Sequence, residues 1–326
     1  MTVWTRGAVV LLAVAFVFPA RADDHGTLNV LYENDLFDKS DKHYSSGVQL
    51  SWTTAPNRTP DWALAASRWL PFFNQAGDVR TSYALGQNLY TPSDITLVNP
   101  PTTDRPYAGF SYVDLGLSVR SENRLDQLQL LLGVVGPSSL GEETQKFVHS
   151  IIGSRNPAGW NTQLHDEPAI ELTYERSYKL IASSHKTGVM FDVEPHFGAA
   201  VGTVYDYVNA GAMVRVGFNL PDDYGPLRIE PALPGSNFFA PSAGLGAYLF
   251  AGVDGRAVAR NLFLDGNTWR NSRSVKKKPL VADIQMGAAI AFRRMRIVFT
   301  HVIRTREFTT QQRADRFGAV SVSVSF

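Results

Sequence analysis

The chain has 326 residues, with 31 Lys and Arg against 30 Asp and Glu, and no cysteine. The missing cysteines exclude disulfides and thiolate metal centres, and the near balance of charge argues against a nucleic-acid partner. Beyond the N-terminus no apolar run is long enough for a spanning helix, so the fold must be stabilised in another way.

The first 22 residues, "MTVWTRGAVVLLAVAFVFPARA", place Arg6 before an apolar run from Ala8 to Phe18 and end on Ala20-Arg21-Ala22, a small-x-small cleavage pattern. They read as a secretory signal peptide over 1–22, followed by a single domain over 23–326. A membrane anchor is the competing reading, but the run is short of the ~20 residues that a spanning helix needs. Removing Arg6 and Arg21 leaves 29 basic against 30 acidic residues, a net charge of −1.

The next stretch, "YENDLFDKSDKHYSSG" at 32–47, crowds Glu33, Asn34, Asp35, Asp38 and Asp41 behind a first short strand. Further segments alternate with period two. In "GVQLSWT", Val48, Leu50 and Trp52 alternate with polar residues; "SYVDLGLSVR", "DQLQLLLGVV" and "VMFDVEPHFG" repeat the pattern. "PDWALAASRWLPFF" at 60–73 reads as a periplasmic insertion with a short amphipathic helix, Trp62 and Trp69 being interfacial anchors. Strands are expected at 27–33, 46–54, 81–89, 109–121, 124–135, 168–181, 186–201, 208–219, 243–258, 280–292, 295–306 and 315–326. The stretch 221–243 reads as irregular, and "RIVFTHVIRT" is apolar on both faces.

Such strands suit either a sandwich with the apolar face buried or an outer-membrane barrel with that face towards lipid. Their length favours the barrel, because sandwich strands commonly run about five or six residues and transmembrane strands about 9–11. The closing "GAVSVSVSF" alternates Val320, Val322 and Val324 with serines and ends on Phe326, which resembles the recognition signal of outer-membrane barrels. The fold expected is therefore an all-β, twelve-stranded antiparallel transmembrane barrel, the even count bringing both termini to the periplasmic side.

That topology sends the segments after strands one, three and five to the outer surface. The third, at 136–168, contains a helix: Ser139 and Glu142 are spaced as a capping box, the helix runs over 143–152, and Gly153 stands at the C-cap. Gln145 and His149 share one helix face, while Phe147, Val148, Ile151 and Ile152 form an apolar stripe. A loop helix packed on the rim with His149 at its edge is the plain structural reading. The segment 261–279 is a basic external loop. Solvation is its default state, yet Arg270, Arg273 and Lys276 to Lys278 could attract an anionic lipid head.

"ENDLF" with "YSSG", then "GQNLYTPSD" and "DRPYAG", then "GVVGPSSLGEETQKFVHSIIG" and "GWNTQL", occur in order across most of the chain. Together they resemble the family of outer-membrane lipid A 3′-O-deacylases. The resemblance implies a calcium-dependent esterase in the outer membrane, facing the outer leaflet, with lipopolysaccharide as substrate and the 3′-acyloxyacyl group of lipid A as the leaving portion. It implies a Ca2+-binding role for Asp35, site roles for Asn34, Ser45 and Gln145, and a catalytic base in His149. Such chemistry is sensible for these residue types: a hard cation takes oxygen ligands, and a near-neutral imidazole can take a proton from water.

Two departures accompany the match. Some members carry a site lysine in the second loop, but none occurs here between Lys42 and Lys146; some carry a glutamate six residues beyond the histidine, where this chain has Arg155. Glu142, Glu143 or Asp166 could substitute. Arg105, Tyr107 and Trp160 rank lower, as rim anchors. Two other classes stay open: an outer-membrane phospholipase with a serine nucleophile, and a non-enzymatic porin or adhesin. Asp192, Glu194, His196 and Arg215 fit a channel lining or a buried polar network. Expected partners are lipopolysaccharide and outer-membrane lipid, and the protein is expected to act as a monomer.

Overall fold

The computed structural model describes residues 26–35, 43–73, 76–183, 188–229, 231, 235–239 and 244–326. The segment 1–22 and the acids Asp38 and Asp41 lie outside the described residues. Strand segments run over Gly26–Asn34 (β1), His43–Thr54 (β2), Asp78–Thr91 (β3), Ala108–Arg120 (β4), Arg124–Val135 (β5), Glu167–Tyr178 (β6) and Leu180–Ser183 (β7). They continue with Met190–Gly202 (β8), Tyr205–Phe218 (β9), Leu245–Asn261 (β10), Leu280–Phe292 (β11), Met295–Arg304 (β12) and Asp315–Ser325 (β13). Each pairs antiparallel with its neighbours, and β1 pairs with β13 from Thr27↔Ser325 onward.

β6 and β7 are two halves of one stave. Ser177↔His196 and Leu180↔Val193 keep one register against β8, and the break falls at Lys179, whose N–H donates to the Asn123 carbonyl (2.8 Å) instead. The β6–β8 pairing closes the sheet, giving a closed twelve-stranded antiparallel barrel with no free edge.

The alternation resolves as lipid face and lumen. Val48, Leu50 and Trp52 are exposed on the outer wall, whereas Gln49, Ser51 and Thr53 are buried inside. The doubly apolar β12 has a reason: Ile297 and Phe299 face lipid, while Val298 and Val302 pack inward against Tyr248 and Phe250 and against Tyr44 and Phe317 respectively. No described helix is long and apolar enough to cross a membrane.

The described residues of the irregular segment between β9 and β10 lie in the lumen and occupy it. Asn237 accepts from Asn29 and Thr53 through its carbonyl (2.8 Å each), Arg228 donates to Glu33 (2.6 Å), and Arg304 donates to the Pro231 carbonyl (2.9 Å). Its Asp223 takes Arg215 (2.6 Å) and Arg296, and Arg215 also binds Asp192 (2.6 Å) and Glu194 (3.0 Å). His196 reaches Asp254 at 3.1 Å. The four lumen residues thus belong to a buried ion network, in which each charge is held by direct partners. Two cavities left beside this plug measure about 30 and 20 Å³, room for a water or two rather than a channel.

Gly26 and Phe326 meet at one end of the barrel, where they exchange backbone hydrogen bonds of 3.1 and 3.0 Å. The longest connection, 136–166, lies with 92–107 and 262–279 at the other end, which the usual asymmetry of barrels makes the outer one. At the terminal end, helix α1, Asp61–Trp69, buries Ala63 against Phe73, Leu117 and Val119 and leaves Trp62 and Trp69 exposed, as an interfacial helix should. At the outer end, the basic loop is not simply solvated. It opens with a one-turn helix, Leu262–Asp265, whose Leu262, Phe263 and Leu264 are buried and cap the lumen; Phe263 stacks on Tyr90 at 4.0 Å.

Candidate active site at the outer rim

Loop three folds over the outside of the barrel. Gln87 and Ser111, on the lipid-facing parity of β3 and β4, both donate to the Ser139 carbonyl, at 2.6 and 2.8 Å. Gly109 lies so close to Ser139 and Gly141 that a Cβ there would collide with both. Glycines at 109 and 141 therefore allow the loop backbone to sit directly on the wall.

From that contact starts helix α2, Gly141–Ile152. The expected capping box does not form: the Ser139 hydroxyl donates to the Gly136 carbonyl (2.6 Å) inside a 3-10 turn, and the N-cap is Leu140 in a left-handed conformation. The C-cap is as expected, with Gly153 at φ 73° and its N–H on the His149 carbonyl. The burial of the faces reverses the plain structural reading. Gln145 and His149 are 3% and 5% exposed, whereas Phe147 and Ile151 are 66% and 44% exposed. The helix presses its polar face inward and shows its apolar face to the surroundings.

Both buried side chains are oriented. His149 Nδ1 lies 2.5 Å from the Arg155 carbonyl; a carbonyl can only accept, so Nδ1 carries a proton, and in the neutral ring the lone pair is on Nε2. The residue at the family's glutamate position thus acts through its backbone, which any side chain would supply. Trp160 Nε1–H donates to Gln145 Oε1 at 2.7 Å, and Trp160 is itself buried against Tyr107. This turns Gln145 Nε2 into a buried donor with no hydrogen-bond partner among the described residues. Trp160 thus both packs on Tyr107 and orients the Gln145 amide, a contact that sequence spacing alone could not reveal.

Asn34, Asp35 and Ser45 lie at the same end of the same wall. Across the sheet, Asn34 faces Ser46, Ser46 faces Leu89, and Leu89 faces Gly109, the residue under the start of α2. Asn34 continues the lipid-facing parity of Val30 and Tyr32 yet is only 6% exposed, so the rim covers it there. Asp35 follows it at 2% exposure. A bulge between Tyr44 and Ser46 frees Ser45, whose Oγ meets Thr91 Oγ1 at 2.6 Å. Glu33 points into the lumen, committed to Arg228 and to the Tyr44 hydroxyl (2.9 Å). The suggested substitutes do not join the site: Glu142 pairs with Lys146, Glu143 is exposed, and Asp166 accepts from the Ser138 N–H (2.7 Å). Arg105 is buried against Glu307 at 2.8 Å, a tie between two loops, and Tyr107 donates to the Ile95 carbonyl at 3.1 Å, a tie within its own loop.

Among the described residues, no three His, Cys, Asp or Glu side chains converge as a metal centre. Asp35 nevertheless offers a buried carboxylate, with the buried Asn34 amide next to it in the chain. That chemistry suits a hard, oxygen-seeking cation and not zinc.

A second constellation was not anticipated. His43, at φ 64°, places Nδ1 2.6 Å from Asp315 and Nε2 3.0 Å from the exposed Ser93 hydroxyl, with Asp104 3.6 Å from Nε2. Burial pushes the Asp104 carboxyl up, but the His43 contact and the Ser93 and Arg105 amides outweigh it and hold it at about 2. His43 thus sits between two carboxylates and ties together the rim ends of three loops.

The family profile described as "Outer membrane protein LpxR" matches residues 8–326. Among solved structures, LpxR from Salmonella typhimurium superposes with a TM-score of 0.76 at 20% identity, covering 92% of this chain and 100% of that one. The β domain of the Bordetella autotransporter BrkA gives 0.45 at 9% identity, covering 93% and 99%. No curated protein sequence matches the chain.

Proposed function

The chain belongs to the LpxR family of integral outer-membrane β-barrels, and from that premise we propose that it is a calcium-dependent lipid A 3′-O-deacylase. The observation that carries this reading is the buried polar face of α2, with Gln145 and an oriented His149, pressed onto the lipid-facing rim of the wall that bears Asn34, Asp35 and Ser45. An ester buried in the outer leaflet would reach that cleft from the side, without crossing the lumen. Eight residues of helix from Gly141 to His149 span ~12 Å, comparable with the ~14 Å of three strand spacings from β4 back to β1. The reading requires that His149 and Asp35 meet over one ester.

In the reaction, His149 Nε2 takes a proton from water as the water oxygen attacks the ester carbonyl carbon. The bond from that carbon to the sugar 3′-oxygen then breaks, and the proton passes to the leaving oxygen, giving a free hydroxyl and a fatty acid. Gln145 Nε2–H is placed to donate to the carbonyl oxygen as charge grows there. Asp35, with Asn34 beside it, would hold Ca2+, whose charge stabilises that same oxygen. The Ser45 and Thr91 hydroxyls are hydrogen-bonded to each other at the edge of the cleft.

The test is mass spectrometry of lipid A after incubation with the purified chain, with calcium or with chelator. The parent should remove the 3′-acyloxyacyl mass only with calcium, and Asp35→Ala and His149→Ala should each slow the reaction by about 100-fold or more. Intact 3′ acylation in every condition would refute the assignment. A second reading is favoured by the Asp315–His43–Ser93 geometry, which matches a serine-nucleophile relay. It predicts that Ser93→Ala abolishes hydrolysis while His149→Ala does not. The Asp104 carboxylate beside Nε2 weighs against it: burial pushes the His43 pKa down, but Asp104 and Asp315 together raise it and so favour the protonated ring, which cannot take the Ser93 proton.

A further inference from the structure

We propose that the wall opposite the active site carries a second lipid site, a groove that seats one acyl chain of an outer-leaflet lipid and holds its phosphate monoester with Lys278, Arg306 and Arg313. The proposal rests on the barrel and its orientation, not on the deacylase reading. In the strand order, β9, β10 and β11 lie half a turn from β2 and β3. Over their outer ends opens a groove of about 940 Å³, within the ~300–1,000 Å³ typical of ligand sites.

Its floor follows from register. Ala210, Gly255 and Ala282 stand side by side across the three strands, and one step outward Val208, Ala257 and Leu280 do the same. Small side chains in the first row leave a trough, while Val208 and Leu280, 58% and 71% exposed, form its flanks. Lipid is the only solvent this face meets, since the trough runs on into the exposed apolar belt of Val253 and Ile284.

The head of the trough is basic. Thr305 closes the β11–β12 ladder by bonding both ways to Ala282, at 2.8 and 2.9 Å, which sets Arg306 above the floor. The neighbouring acids are already committed, Asp265 to Lys277 (3.0 Å) and Glu307 to Arg105 (2.8 Å). Lys278, Arg306 and Arg313 form no ion pair among the described residues. Of the basic loop, Arg273 donates to the Pro100 carbonyl (2.7 Å) and to Asn99, so Lys278 is the part of it that faces this groove. Three unneutralised cations at the head of an apolar trough complement an anionic, phosphate-bearing lipid, and guanidinium groups match phosphate geometry.

Native mass spectrometry of the full chain in detergent, titrated with a bis-phosphorylated lipid A that already lacks the 3′-acyloxyacyl group, tests this directly. Arg306→Glu with Arg313→Glu should weaken retention of that probe about tenfold, a difference of ~1.4 kcal/mol. The dephosphorylated probe should bind the parent as weakly. Gly255→Phe should also weaken binding by filling the trough; only the Ala210 carbonyl, at 3.8 Å, lies near its Cβ, so the strand accommodates the change. Equal retention by parent and variants, or equal binding of both probes, would overturn the proposal. Charge-dependent retention in a protein that leaves lipid A intact would uphold it while refuting the deacylase.

Discussion

The chemistry of the candidate site is set by which atom of each residue is engaged. Asp35, Asn34, Ser45, Gln145 and His149 could be named from sequence because their motifs are linked and specific, but their protonation and orientation could not. The Arg155 carbonyl decides the tautomer of His149, and the Trp160 indole decides which end of Gln145 is available. Neither appears in a motif as a functional group, since one acts through backbone and the other through a residue that spacing marks as an anchor. Trp160→Phe keeps the ring contact with Tyr107 but removes the Nε1–H bond to Gln145. It should lower kcat on lipid A about tenfold with KM nearly constant, and cost ~1 kcal/mol of stability. A parallel rise in KM with unchanged kcat would make Trp160 a substrate contact instead.

Among the elements, α2 shows how tertiary context assigns faces that periodicity only separates. The sequence marks one polar and one apolar side; it does not say which is covered. Because loop three docks on the lipid-facing wall, the side turned to the barrel meets polar groups at the rim, and the side turned away meets the bilayer. Apolar residues are therefore outside, the reverse of a helix in a soluble protein. Phe147 and Ile151, beside Leu140 at 59% exposure, make an exposed apolar face that suits the leaflet. Phe147→Ser with Ile151→Ser should reduce deacylation of lipid A in bilayer vesicles about fivefold or more, at ~0.8 kcal/mol per buried methylene lost. Activity on detergent-dispersed lipid A should stay close to that of the parent. Equal losses in both assays would mean that the face packs within the protein. The strands were more legible: the expected 124–135 and 280–292 are the observed β5 and β11, and the other boundaries move by a few residues at the ends, where bulges and loops compete with the ladder.

At the scale of the whole molecule, the barrel is closed twice, once by the β6–β8 pairing and once by the segment threaded through its lumen. Asp223 is the hub of that plug, facing Arg215 and Arg296 at a site with no access to water. Asp223→Ala would leave the buried Arg296 with no carboxylate partner among the described residues, while Arg215 keeps Asp192 and Glu194, and should lower stability by ~3–5 kcal/mol, read as an earlier denaturant midpoint in detergent. An unchanged midpoint would show that the plug is not coupled to the wall. The filled lumen also weighs against the porin reading, since the charges that could line a pore are paired with one another.

Period-two alternation, strand length and the terminal aromatic determined the barrel, its strand number and its lipid face, because a bilayer imposes one solvent on one side of every strand and the chain must record it locally. The linked motifs likewise marked the wall on which the candidate site lies. Only the tertiary structure decided that 221–229, 231 and 235–239 belong to a plug, that α2 turns its polar face inward, and that small residues from three strands and cations from two loops share one groove. These features depend on contacts between residues distant in the chain, where no local period or spacing carries the information.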